Sequence, residues 1–291
     1  MTIYRTLLAL IMLTALAACS SNDSRTELTE KQLYEKAIEQ LDDNNYNSAV
    51  TTLQQLEARY PFGPYAEQAQ LEIIYAHYRA YESEAAISAA ERFIRLHPQH
   101  PNVDYAYYMK GLANYLDNQG FFTRYTPTDL TERDVGKGIQ SFEDFRQLLL
   151  RFPDSEYAAD ARARMIFLRA RLARHEINVA NYYFKRRAYL AAVKRGQYVV
   201  EHYPNTPATA DALAVMVQGY TLLGLKNLAD SSLAVLRENF PDHPSLDSQG
   251  NFINRFIAAG EDRSWLNKLS LGLLDRNPPP RFDNRAEYLR P

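Results

Sequence analysis

Five prolines, each preceded by an aromatic residue or histidine, divide this chain more firmly than any other feature: Tyr60-Pro61, His97-Pro98, Phe152-Pro153, Tyr203-Pro204 and Phe240-Pro241. Twelve positions before each proline stands a small residue (Ala49, Ala86, Ser141, Ala192, Ala229), and five before it an apolar one (Leu56, Phe93, Leu148, Val199, Leu236). Eight positions after the first four prolines comes alanine each time: Ala69, Ala106, Ala161 and Ala212. After the fifth comes Gln249, and the pattern stops. Proline lacks an N–H and restrains the residue before it, so it closes a helix. Small residues at fixed offsets let one helix approach the next. The chain is therefore expected to stack helix pairs, the second helix of each pair ending at one of these prolines.

The spacing is 37 residues from Pro61 to Pro98 and again from Pro204 to Pro241. This resembles the tetratricopeptide repeat, a helix–turn–helix of about 34 residues with an alanine in its second helix and a proline at its end. Tyr46-Asn47-Ser48-Ala49 and Tyr189-Leu190-Ala191-Ala192 fit the start of that second helix. The expected fold is all-α, a right-handed α-solenoid of about five tetratricopeptide-like helix pairs. They span residues 29–244, with boundaries near 29–61, 65–98, 101–153, 155–204 and 206–241.

The two middle intervals are longer, 55 and 51 residues. In the first, the excess lies at Asp117–Gly138, where Gly120-Phe121-Phe122, Pro127, Gly136 and Gly138 interrupt any helix. In the second, no Gly or Pro occurs from Asp154 to Arg195, and Ala158, Ala161, Met165, Leu168, Leu172, Val179 and Tyr183 keep one face. The added length is close to four turns at about 3.6 residues each. It reads as one extended helix over 155–183, with Arg162, Arg164, Arg169 and Arg171 flanking the apolar stripe as a solvated face. Beyond Pro244, Phe252, Ile253, Phe256 and Ile257 predict a short capping helix, and Trp265–Leu274 an amphipathic one. Asn277-Pro278-Pro279-Pro280 opens a tail expected to be disordered.

The first residues carry an address. Arg5 is followed by an apolar run over 6–16, and Leu16-Ala17-Ala18 leads into Cys19, the only cysteine of the chain. This reads as a secretory signal over 1–18 with an apolar stretch too short for a stable membrane span. Leu-Ala-Ala-Cys is a bacterial lipobox, in which Cys19 is acylated and becomes the first mature residue, followed by a linker over 19–28. Several acyl chains bury many methylenes at about 0.8 kcal/mol each, a firm anchor. Ser20 follows, and the resemblance to Gram-negative lipoproteins implies sorting to the outer membrane, with the rest of the chain in the periplasm.

Composition removes several function classes. Without residues 1–18 the chain has 32 basic against 35 acidic residues, which argues against a nucleic-acid partner. Disulfides within the chain are impossible with one cysteine. The histidines never form His-Glu-x-x-His, and one cysteine cannot build a zinc knuckle; no metal or cofactor is expected. His97-Pro98-Gln99-His100 reads as a helix end and turn. No Gly-x-Ser-x-Gly elbow or phosphate-cradling loop occurs, and no stretch outside the repeats is long enough for a lysozyme-like domain. Enzymatic activity is not expected. Binding remains: the first helices of stacked pairs line a concave face. Tyr65, Tyr75, Tyr78, Tyr81, Tyr105, Tyr107, Tyr108 and Tyr115 crowd those segments, and Tyr rings with hydroxyl tips suit an extended amphipathic peptide.

Arg59-Tyr60-Pro61-Phe62-Gly63-Pro64-Tyr65, Phe93-Ile94-Arg95-Leu96, Pro101-Asn102-Val103-Asp104-Tyr105, Gly120-Phe121-Phe122 and Val179-Ala180-Asn181-Tyr182-Tyr183 resemble the BamD family of outer-membrane assembly lipoproteins. The resemblance covers about residues 15–240. It implies a non-enzymatic scaffold of the β-barrel assembly machine that docks the POTRA domains of BamA through its C-terminal repeats. It also implies contacts with the lipoproteins BamC and BamE, and N-terminal repeats that receive the C-terminal strand of unfolded outer-membrane proteins. On that basis Tyr60, Phe62, Tyr65 and Tyr75 are candidates for peptide binding, Phe62 because the Phe-Gly-Pro turn cannot hide it in a helix. Arg187, Lys194 and Arg195 are candidates for BamA binding, Arg195 lying where the family carries an arginine. The same anchor and fold would also suit a periplasmic adaptor lipoprotein that recruits cell-wall enzymes or proteases.

Overall fold

The structure, a computed structural model, describes residues 28–119, 135–254 and 282. Among them the chain is all-α and contains no strand. Ten helices follow one another: α1 Glu30–Asp42, α2 Tyr46–Arg59, α3 Ala66–Arg79, α4 Ser83–Leu96, α5 Val103–Gln119, α6 Gly136–Arg151, α7 Ala158–Lys185, α8 Tyr189–His202, α9 Ala208–Leu222 and α10 Lys226–Asn239. The chain divides into two compact units after Ala76. In the first, α1 packs on α2; in the second, each helix from α4 to α10 packs on the next, and α7 also reaches α9. This is the packing of a tetratricopeptide-like solenoid.

The repeat positions are the reason these helices fit together. All ten small and apolar residues at the two fixed offsets before the prolines are buried, and so are the four alanines after them. Ser141, the one hydroxyl among the small residues, is fully buried and donates to the Gly111 carbonyl at 2.9 Å, so the site tolerates a polar side chain. A larger residue at any of these positions would push helices apart, at a cost of about 1–3 kcal/mol.

Proline and the left-handed conformation share the punctuation. Tyr60, His97, Phe152, Tyr203 and Phe240 each leave the helical region and donate their N–H to the apolar residue four positions back, at 2.8 Å in every case. At the opposite turns, Asn44, Tyr81, Arg187 and Gly224 adopt φ of 59°, 62°, 57° and 74°. In each, the following N–H reaches back to the helix (Asn45 to Gln40, Glu82 to His77, Ala188 to Tyr183, Leu225 to Tyr220), the Schellman closure of a helix end. Only Asn44 and Gly224 have side chains that advertise this conformation. Thr29 starts α1 with a capping box, its Oγ1 accepting from the Gln32 N–H while the Gln32 side chain accepts from the Thr29 N–H.

α7 is the expected long helix, 28 residues over Ala158–Lys185 rather than 155–183. Its solvated face is narrower than the sequence pattern predicts. Arg171 and Arg174 are buried, and Arg169 donates to the His202 carbonyl at 3.3 Å. After α10 the next turn repeats the geometry of the others, with His243 N–H to Phe240 O and Leu246 N–H to His243 O, but no helix follows among the described residues. Instead Leu246 and Phe252 form an isolated antiparallel bridge, so Phe252 and Ile253 are not helical. Phe282, in the segment expected to be disordered, is buried against the cluster built by α7, α8 and α9. Residues 1–27 with Cys19, the 120–134 part of the insertion, and Phe256, Ile257 and Trp265–Leu274 lie outside the described residues.

Candidate functional site

The turn between α2 and α3 gathers three of the four predicted peptide-binding residues. Tyr60 closes α2, and its hydroxyl donates to the Leu28 carbonyl at 3.3 Å. The Tyr65 N–H donates to Glu30 Oε1 at 2.8 Å, and the Tyr65 ring stacks on Tyr34 with centroids 4.8 Å apart. Glu30 reaches that N–H only because residue 63 is glycine: a Cβ there would overlap the carboxylate. With its neighbours so tied, Phe62 points outward and is 99% exposed. Burying such a ring against a partner would stabilise a complex by about 1.5–3 kcal/mol.

Tyr75 is not part of this turn. It packs with Ile38 and Tyr46 on the core cluster of Leu41, Ala49, Val50 and Ala76. It also sits about 15 Å along α3 from Tyr65, at 1.5 Å per residue. Between them, burial pushes the Glu72 carboxyl above its usual range despite a hydrogen bond from Gln68 at 2.8 Å. Burial, followed by Glu72 and Tyr65, also raises the Tyr34 phenol.

The basic candidates are split by the α7–α8 turn. Arg187 occupies the left-handed position of that turn and is exposed, as is Lys194. Arg195 instead lies back on α7: its Nη1 is 3.0 Å from Glu176 Oε2, and its guanidinium sits 6.0 Å from the Tyr183 ring centroid. Burial would lower its pKa, but the hydrogen bond and charge of Glu176 raise it on balance. Its side chain remains 41% exposed.

Much of the tyrosine content is used internally. Tyr108 stacks on Tyr157 at 4.7 Å, and its hydroxyl donates to Asp160 Oδ2 at 2.7 Å. Burial pushes both phenols up to about 12. Burial would raise Asp160 as well, but hydrogen bonds from Arg164 and Tyr108 hold it below the usual carboxylate range. Tyr107 is buried against Phe152, and Tyr115 meets Phe167 edge-on. His97 and His100 both pack on Phe93, at 5.0 and 5.2 Å.

A buried polar network was not apparent in the sequence. Asp211, in the first turn of α9, has Arg174 Nη1 3.2 Å from Oδ2 and His243 Nε2 3.2 Å from Oδ1, all three side chains almost wholly buried. The Ser245 N–H donates to His243 Nδ1, which leaves Nε2 as the nitrogen that faces Asp211. The only hint is a charge within the apolar run Ala208–Val217. The network joins α7, α9 and the turn after α10, so it is structural. None of these groups forms a nucleophile–base pair in a cleft; the arrangement offers surfaces for binding.

Comparison with known proteins gives a consistent result. The family profile YfiO, described as outer membrane lipoprotein, matches residues 26–236. An outer membrane protein assembly factor BamD from Neisseria meningitidis serogroup A is 40% identical over 239 residues, covering 80% of this chain and 90% of the relative. The BamD of Xylella fastidiosa strain Temecula1 is 41% identical over 216 residues, 74% of each chain. That of Vibrio cholerae is 35% identical over 237 residues, covering 81% of this chain and 98% of the relative.

Proposed function

The chain belongs to the YfiO family of outer membrane lipoproteins, and on that premise we propose that it is a non-enzymatic scaffold for assembly of outer-membrane proteins. The observation that carries this reading is the extent of the likeness, which runs through the helical array in relatives named as BamD assembly factors. In this reading Cys19 carries the lipid that holds the protein on the outer membrane, facing the periplasm. No helix among the described residues is long and apolar enough to cross a membrane. The C-terminal helix pairs dock the POTRA domains of BamA, with Arg187, Lys194 and the part-exposed Arg195 supplying positive charge. BamC and BamE are the accessory partners.

Clients are received at the α2–α3 turn. Phe62 projects a whole ring into solvent from a backbone fixed by Glu30, Gly63 and Pro64. A preorganised apolar contact loses little entropy on binding an extended strand that ends in an aromatic residue. A photo-crosslinking residue at position 62 is expected to label such a peptide at least tenfold more than one at Leu150, an exposed control on α6. Equal labelling of both positions would rule out a localised site.

A further inference from the structure

Asn181 is a costly choice within the last turns of a long helix, and the structure shows what it does there. Asparagine is a weak helix former, and a buried carboxamide needs partners for both its donor and its acceptor. Asn181 is 2% exposed and satisfies both with the main chain of one distant residue. Its Oδ1 accepts from the Phe282 N–H at 2.9 Å, and its Nδ2 donates to the Phe282 carbonyl at 3.1 Å. The Phe282 ring is 3% exposed, 5.6 Å from the Phe184 ring at an angle of 46°. Ala173, Ile177 and Ala180 of α7 belong to the same cluster.

The geometry points to a second peptide site, on α7, that binds an aromatic residue of an extended polypeptide and that the protein's own C-terminal segment fills in cis. The two hydrogen bonds imitate the paired N–H and C=O exchange between facing residues of antiparallel strands. They read main chain and are indifferent to sequence, while the Phe184 socket selects an aromatic side chain. A segment from another chain with that chemistry can make the same contacts. Asn181 meets the main-chain N–H and C=O that a docked extended segment presents, which an apolar residue at 181 could not do. The profile match ends at 236, so Phe282 lies outside the matched region whereas Asn181 lies within it. Residues 255–281 tether Phe282 to the array. Phe282 is part of the same chain, so an external ligand must compete with an intramolecular contact. This site is separate from the Phe62 turn and does not depend on the assembly reading.

The test uses the full-length chain in detergent and a fluorescent peptide spanning residues 278–286. The Phe282→Ala protein, with its pocket vacated, is expected to bind the peptide saturably and at least tenfold more tightly than the wild type. Adding Asn181→Leu should weaken binding at least tenfold, and a peptide lacking the phenylalanine ring should not bind. Failure of Phe282→Ala to bind, or equal affinity for both proteins, would overturn the proposal. Hydrogen exchange supplies a readout that does not depend on that variant. The Phe282 amide should be protected in the wild type and exchange at least tenfold faster in Asn181→Leu with its helical circular dichroism intact; unchanged exchange would equally overturn the proposal.

Discussion

Replacing Cys19 by alanine is expected to release the protein from the outer membrane altogether. The proposed anchor consists of acyl chains on that thiol, and each buried methylene contributes about 0.8 kcal/mol. Two or more chains bind a membrane firmly, whereas the described helices contain no segment able to span it. Without the thiol, lipidation stops, and the precursor remains uncleaved or is recovered soluble. Docking to BamA could hold back part of the pool, so fractionation should follow a high-salt wash and be repeated in cells depleted of BamA. A Cys19→Ala protein that still floats with outer membranes under both conditions would sink the lipid-anchor reading.

The second large effect is one of stability. Asp211→Ala removes the carboxylate shared by Arg174 and His243 and leaves a guanidinium buried beside an imidazole. Breaking a buried pair from one side costs about 3–5 kcal/mol. At roughly 2–4 °C per kcal/mol for a chain of this size, the melting temperature should fall by on the order of 10 °C. Arg174→Met combined with Asp211→Leu removes both charges together and should recover a large part of that loss. Thermal circular dichroism distinguishes the cases. A drop of less than about 1 kcal/mol for Asp211→Ala would mean that the network contributes little.

The repeat frame was legible because its signals are steric and local. Proline ends a helix wherever it falls, and alanine marks close approach, so the offsets predicted the buried positions and α7 without any knowledge of partners. The interhelix turns were less legible: Tyr81 and Arg187 adopt φ values that their side chains do not favour, imposed by the helix closure around them. That Tyr75 packs against a core cluster was not legible, because aromatic residues that pack and aromatic residues that bind recur at the same helical spacing. The burial of Arg171, expected on the solvated face, and of Arg174 is not visible in the local pattern, because contacts such as Arg174 to Asp211 span 37 positions. The seat of Phe282 depends on a contact 101 residues away, beyond the reach of any local pattern.

The central claim concerns what this array holds, and co-purification with BamA from native outer membranes tests it most directly. The wild-type protein is expected to retain BamA at moderate salt. Arg195→Glu should lose it, because an interfacial pair that loses one partner costs roughly 2–5 kcal/mol and the reversed charge adds repulsion. The internal Arg195–Glu176 pair is part-exposed and contributes about 1 kcal/mol or less, so melting should change little. A wild-type protein that brings down a cell-wall hydrolase or a protease without BamA would contradict the assembly role and favour the adaptor.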